Sequence, residues 1–225
     1  MSFDGRVHGG AVRIFRFLLG LSILGGGGYL AYRRFGPFVS SVDRIPDSVR
    51  ERMRGVTWRE GCPVGLDELS MVKITYRNNL GLNSVGKVIV ATDSADSLVN
   101  AFRELHGRGF RIDKVNPVLK YGGNDAASMR ANNTSAFNCR KVSGSSSWSE
   151  HSKGTAIDIN PLVNPYVSAG GSVQPVEGAR YADRSIRVKG SITPEIAEVF
   201  ARNGWKWGGD WKGAKDYQHF SISGR

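Results

Sequence analysis

Hydrophobic positions change period several times along this chain from residue 72 onward. Val72-Lys73-Ile74-Thr75-Tyr76 alternates apolar and polar residues, the period of a half-buried strand. Lys87-Val88-Ile89-Val90-Ala91 predicts a second strand, more fully buried. Asp93 or Ser94 is then placed to cap a helix through Leu98, Val99, Phe102 and Leu105, with Gly107 as its stop. Ala136 to Val142 predicts a strand and Ala156 to Ile159 a shorter one. Thr193-Pro194-Glu195 is a helix start: a capping residue, a proline for the first turn, then an acid. Ile196, Val199 and Phe200 supply that helix's apolar stripe, and Gly204 ends it. His219 to Ile222 reads as a final strand. Strands and helices mix without regular βαβ alternation, which predicts an α+β domain built on an antiparallel sheet.

The amino-terminal pattern is different. Phe17 to Tyr32 carries no charge, with Arg13 and Arg16 before it and Arg33 and Arg34 after it. As a helix it spans about 24 Å, short of a hydrocarbon core of roughly 30 Å, and flanking arginines extend the reach by snorkelling. A signal anchor, a cleaved signal peptide and a buried core helix all compete here. The cleavage motif is poor, and the four glycines Gly25 to Gly28 disfavour a helix in water. The expected layout is an anchor or signal over 1–36, a polar stalk over 37–57 with a short helix from Asp47 to Arg54, and a catalytic domain over 58–225.

A length of 225 residues fits one domain plus an extension. The net charge of +11 points to an anionic partner, either a nucleic acid or a cell wall or lipid surface, but no long Lys/Arg run marks a nucleic-acid site. Cys62 and Cys139 form no C-x-x-C pair, so a thiolate metal site is not expected. They are two free thiols, or a disulfide if the domain is exported.

There are four histidines. His8 precedes the hydrophobic run, and His106 sits in the last turn of the first helix, an ordinary place for it. His151 and His219 have unusual settings. In Ser149-Glu150-His151-Ser152-Lys153-Gly154-Thr155-Ala156-Ile157-Asp158, a turn at Gly154 brings the following strand back toward His151. Asp158 then shares a strand face with the small Ala156, and an acid in an apolar strand needs a partner. Asp216-Tyr217-Gln218-His219-Phe220 places an acid three residues before the second histidine. His151, Asp158 and His219 make a three-ligand set that leaves zinc a fourth, open position, as catalytic sites do. Asp216 is the candidate general base. Singly, such histidines are more often structural. The helical H-E-x-x-H signature, a G-x-S-x-G elbow and a Walker loop are all absent from the sequence.

SEHSKGTAIDINP resembles the S-x-H-x-x-G-x-A-x-D motif of the D-alanyl-D-alanine carboxypeptidases and dipeptidases, and DYQHF resembles their closing D/E-x-x-H motif. VanY-type carboxypeptidases and L-alanyl-D-glutamate endopeptidases are among the relatives. The nearest likeness is to a subgroup with TSAFNCR upstream (Thr134 to Arg140) and NPY downstream (Asn164 to Tyr166), over roughly residues 58–223. The resemblance implies a small antiparallel sheet flanked by helices, of the lysostaphin and hedgehog type. It implies zinc on His151, Asp158 and His219, with Asp216 as base.

It also implies an arginine that holds the substrate carboxylate or the oxyanion: Arg140, with Arg130 as runner-up and a solvated surface role as the bland alternative. Ser149 either assists near the metal or is a turn residue. Trp148, Trp205, Trp207 and Trp211 line a groove or fill the core, with Trp207 as a substrate contact. The subgroup's Gly-Cys-Pro start, matched at Gly61 to Pro63, favours a Cys62–Cys139 disulfide.

The expected activity is zinc-dependent hydrolysis of a peptidoglycan stem-peptide bond, in a membrane-tethered or secreted extracytoplasmic domain. The alternatives are a wall-binding module with a structural zinc and a basic nucleic-acid binder; an exported domain has little use for the latter.

Overall fold

The computed structural model describes residues 31, 33, 34 and 36–225. The first sheet is β1 (Ser40–Arg44), β2 (Leu69–Arg77) and β3 (Asn83–Ala91) in that order, with antiparallel pairings. Helix α1 (Asp47–Met53) lies between β1 and β2, and α2 (Ala95–Gly107) follows β3. The expected strands at 72–76 and 87–91 and the helix after Ser94 are all present. Thr92–Ser94 forms a 3-10 turn leading into α2, and the Ser94 side chain makes no capping bond.

Alternation puts the two faces of this sheet into two cores. Val72, Ile74, Val88 and Val90 face one cluster together with Leu98, Phe102 and Leu105 of α2. Leu69, Met71 and Ile89 face another with Ile45, Met53, Phe137 and Cys139. A two-residue side-chain period sends neighbouring residues to opposite faces, so both faces are buried only because each has its own cover.

That cover corrects one expectation. Residues 37–57 do not run as a stalk. β1 pairs with β2 over five residues, from Ser40↔Ile74 to Arg44↔Ser70, and Ile45 and Met53 are fully buried. Most of the charges that make this stretch read as a linker lie on its outer side, as in the Arg44–Asp47 and Lys73–Asp43 ion pairs, while Arg50 is buried and ion-paired with Asp67. The sequence Phe17 to Tyr32, which carries the anchor expectation, lies almost wholly outside the described residues. Among the described residues no helix is long and apolar enough to cross a membrane.

The rest of the chain adds β4 (Lys114–Val115), α3 (Asp125–Arg130) and β5 (Asn133–Thr134), then β6 (Ala156–Asp158), β7 (Tyr166–Val167) and β8 (Val173–Gln174). Helix α4 (Pro194–Arg202), β9 (Lys206–Trp207), β10 (Lys215–Asp216) and β11 (His219–Ser221) complete it. Two further antiparallel sheets result, β6-β11-β9 and β10-β7-β8, and β4 and β5 form a short parallel pair. The fold is α+β with small antiparallel sheets and a few helices. Phe220 of β11 stacks on Phe200 of α4 with ring centroids 3.9 Å apart, joining the second sheet to the main core.

The strand expected at Ala136 to Val142 is instead an irregular clamp. Its donors scatter: Phe137 N–H to Ile89 O, Asn138 N–H to His151 O, Cys139 N–H to Thr57 O, Arg140 N–H to Ser152 Oγ and Val142 N–H to Ser147 O. Ala136, Phe137 and Cys139 are buried as a strand's apolar residues would be, while Val142 is exposed, and no single neighbour pairs with the segment along its length. Cys139 is disulfide-bonded to Cys62 across 77 positions, as the resemblance implied.

Candidate active site

The site begins with a turn. Glu150–Lys153 is one 3-10 turn, and the Ser149 hydroxyl caps it by accepting from the His151 N–H at 3.3 Å. Ser149 thus has a demonstrable turn role. Gly154 closes the turn at φ +72°, and a Cβ there would run into the Ala91 backbone nitrogen, so glycine is required on both counts. The chain then returns as β6.

β6 pairs with β11 in the register His219↔Asp158, which sets those two side chains beside each other on one face. His151, Asp158 and His219 converge, with one ligand atom from each lying within 4.8 Å of the others. His219 Nδ1 is 3.0 Å from Asp158 Oδ1, His151 Nε2 is 3.3 Å from the same oxygen, and the two imidazole nitrogens are 3.2 Å apart.

The outer nitrogens fix the tautomers. His151 Nδ1 lies 2.6 Å from Ala136 O, and His219 Nε2 lies 2.9 Å from Arg225 O. A carbonyl only accepts, so both outer nitrogens carry the proton. The inner nitrogens then present lone pairs to each other and to a carboxylate. Three electron-rich atoms in a buried place need a cation among them.

Zinc ligands at about 2.0–2.1 Å from a tetrahedral ion stand roughly 3.3 Å from each other, close to the three separations observed. The donor set, its spacing and its outer hydrogen bonds all fit zinc. Burial opposes charge on His219, but the Asp158 carboxylate outweighs it and raises the imidazole to about 9. Asp158 is lowered: burial acts against its charge, and His151 and His219 more than offset this.

Asp216 sits on β10, paired with Tyr166 of β7. Burial, followed by repulsion from Asp158, raises its pKa to about 7. Its Oδ1 is buried without a hydrogen-bond partner among the described residues. Gly208 fixes its place. A Cβ there would lie 2.7 Å from Asp216 O, 2.9 Å from Asp216 Cβ and 3.2 Å from His219 Cβ, so base and ligand both pack onto that bare Cα.

Arg140 follows the disulfide-bonded Cys139. Its backbone is bound to the histidine turn: its N–H donates to Ser152 Oγ at 2.8 Å, and its carbonyl accepts from Ser149 N–H. Burial lowers the guanidinium pKa against the pull of Asp158 and Asp216, whose charges both reach it. Its Nε is ion-paired with Asp125, which also accepts from Asn138 Nδ2 at 2.7 Å.

Residues 143–222 match the family described as D-alanyl-D-alanine carboxypeptidase. Over these residues the chain is similar to that family. The match contains His151, Asp158, Asp216 and His219, and it supports assignment as a peptidase. The family span begins after Arg140 and after both cysteines, so the geometry here and the sequence likeness carry those residues. No curated protein matches the chain.

Arg130, the runner-up arginine, faces Glu177 at 3.9 Å on α3. Trp207 donates from Nε1 to Tyr217 O at 2.9 Å, bracing the loop between Asp216 and His219. Trp148 packs in the second core beneath Lys141, and Trp205 is fully buried.

Two features of the site escape a reading of the sequence. Asp125, far upstream, tethers Arg140. The Asn164 of the NPY segment is fully buried, donating to Ile159 O and Gly190 O and accepting from Ile192 N–H and Arg184. It fixes the turn from which Tyr166 reaches Asp216. Asn-Pro-Tyr was the available signal, but it does not name its partners.

Proposed function

We propose that this chain is a zinc-dependent peptidase that hydrolyses stem-peptide bonds of bacterial peptidoglycan, as a D-alanyl-D-alanine carboxypeptidase or an L-alanyl-D-glutamate-type endopeptidase. The observation that carries the reading is the cluster of three inward lone-pair donors, His151 Nε2, His219 Nδ1 and an Asp158 oxygen, whose tautomers are fixed from outside by two carbonyls. When bound there, zinc supplies Lewis acidity for the scissile carbonyl and lowers the pKa of a water. His151, Asp158 and His219 would hold it. Asp216, with an unpaired buried oxygen and a raised pKa, accepts a proton from the attacking water and delivers it to the leaving amine. Arg140, anchored by Asp125, offers its guanidinium to a substrate carboxylate or to the developing oxyanion.

The unpaired Asp216 oxygen also favours catalysis over a wall-binding module with a structural zinc. A structural site closes with a fourth protein ligand, whereas only three donors converge among the described residues. The domain is proposed to act outside the cytoplasm, where a Cys62–Cys139 disulfide persists. Tethering through Phe17 to Tyr32 rests on the sequence. The deciding experiment is digestion of purified peptidoglycan followed by mass spectrometry of the muropeptides. Chelation should abolish cleavage and added zinc restore it, and cleavage unaffected by chelator would refute the reading.

A further inference from the structure

A cavity of about 650 Å³ opens beside the metal ligands, between α4 and the end of β9. Its walls include Trp205, Trp207 and Trp211, and its rim includes Glu198, Lys206 and Asp210. Trp211 is the wall it shares with the active site, its ring centroid 5.5 Å from that of His219.

All three indoles are held in place. Trp211 Nε1 donates to Gly224 O at 2.8 Å, Trp207 Nε1 to Tyr217 O at 2.9 Å and Trp205 Nε1 to Ser97 Oγ at 3.0 Å. With their N–H groups used internally, the indoles have only flat apolar faces left to offer. One face of Trp207 is pressed on the backbone of Gly209, where a Cβ would collide with the ring. Trp205 is the fully buried floor, and Trp207 and Trp211 remain partly open.

Rigid aromatic faces ringed by carboxylates, an ammonium and a hydroxyl suit a ligand that is apolar above and below and polar around its edge. A pyranose has that form: C–H groups on its faces, hydroxyl and acetamido groups at its rim.

We propose that this cavity is a saccharide subsite that seats an N-acetylated amino sugar of the glycan strand while the attached stem peptide occupies the metal site. The proposal rests on the peptidase reading for its substrate and on the cavity for its location. Trp211 is the principal stacking residue, and Glu198 and Asp210 accept from the sugar's rim.

Two experiments test it. In the first, kcat/KM is compared for a disaccharide-linked stem peptide and for the same peptide without sugar. The native protein should prefer the sugar-linked substrate through KM by about tenfold, the worth of one well-stacked ring. Trp211→Ala and Glu198→Ala should shrink that ratio, with zinc content and Tm measured on each. Glu198 is an exposed helix residue whose only ion pair among the described residues is to Arg202, so its variant tests the subsite even if Trp211→Ala disturbs His219. An equal KM for both substrates in the native protein, or an unchanged ratio in both variants, would overturn the proposal.

The second experiment is independent of hydrolysis. Zinc-loaded Asp216→Asn protein is titrated with the trimer of N-acetylglucosamine while the tryptophan indole N–H signals are followed by NMR. Saturable shifts at Trp207 and Trp211 are expected. No shift, or shifts only elsewhere, would refute the subsite even if the peptidase reading stands; trimer binding together with failure of the native zinc-loaded protein to cut peptidoglycan stem peptides would refute the peptidase reading alone.

Discussion

His219 stands directly across the β6–β11 ladder from Asp158, with its Nδ1 3.0 Å from the carboxylate. A register shift of one residue would turn one of them to the opposite face and dissolve the site. This pairing therefore joins the fold to the chemistry.

Asp158→Ala removes one of three converging donors while Ile157 and Ile159 keep the strand buried. The protein should stay folded and lose zinc affinity by more than the 10–100-fold typical of outer-sphere changes. Titration with a competing zinc chelator measures this directly.

Asp216→Asn keeps the shape and removes the base. Zinc content should be unchanged and kcat should fall by about 10²–10⁴-fold. In the native enzyme the carboxylate form is required, so kcat/KM should rise with pH as Asp216 ionises. Without metal that ionisation is raised to about 7, chiefly by burial. A neighbouring cation favours the charged form, so the limb should lie below about 7 in the zinc enzyme. A pH profile without an acidic limb would argue against the assignment.

Metal-free protein should lose stability as pH rises from about 4 to about 9. His219 has a folded pKa of about 9 against an ordinary 6.5, so its contribution is complete below 6.5 and lost as pH passes 9. Asp216, raised from 3.8 to about 7, favours the folded state in its protonated form and destabilises it progressively across that interval. Zinc takes the place of these protons, so the rise in Tm on adding zinc should grow with pH. Thermal melts with and without zinc at several pH values provide the check.

Gly208→Ala places a methyl group against Asp216 and His219 at once. Overpacking of this kind costs about 1–3 kcal/mol. The displacement should also weaken zinc binding and lower kcat together. The same substitution at exposed Gly170, which meets only Ser168 Oγ at 3.9 Å, should do neither.

Replacing Cys62 and Cys139 by serine should cost about 2–4 kcal/mol, since the bond closes a long loop. Because Arg140 is the next residue, KM should rise more than kcat falls. Denaturant unfolding and steady-state kinetics separate the two effects.

Much of the site was legible locally. Gly154 marks the turn, Ala156 beside Asp158 marks a strand face with room, and the spacing of Asp216 and His219 marks the second arm. These signals survive in sequence because they depend on backbone conformation within a few residues. The ladder of β2 and β3 and the helices after Ser94 and Thr193 were legible for the same reason.

Other features are set by distant parts of the chain. Residues 37–57 read as a linker because they are rich in charge, most of it facing outward, and only pairing with β2 shows that Ile45 and Met53 help close a core. Ala136 to Val142 has a strand's composition, but its backbone donors are scattered over separate partners in different parts of the chain. Asp125 beside Arg140, Asn164 behind Tyr166 and Gly208 beneath Asp216 follow no local period, because packing sets these contacts across long separations. The sequence by itself determined which side chains carry the chemistry and the turns that present them. Only the tertiary structure decided their mutual distances, their tautomers and the neighbours that hold them, because those depend on strand register and on carbonyls donated from elsewhere in the chain.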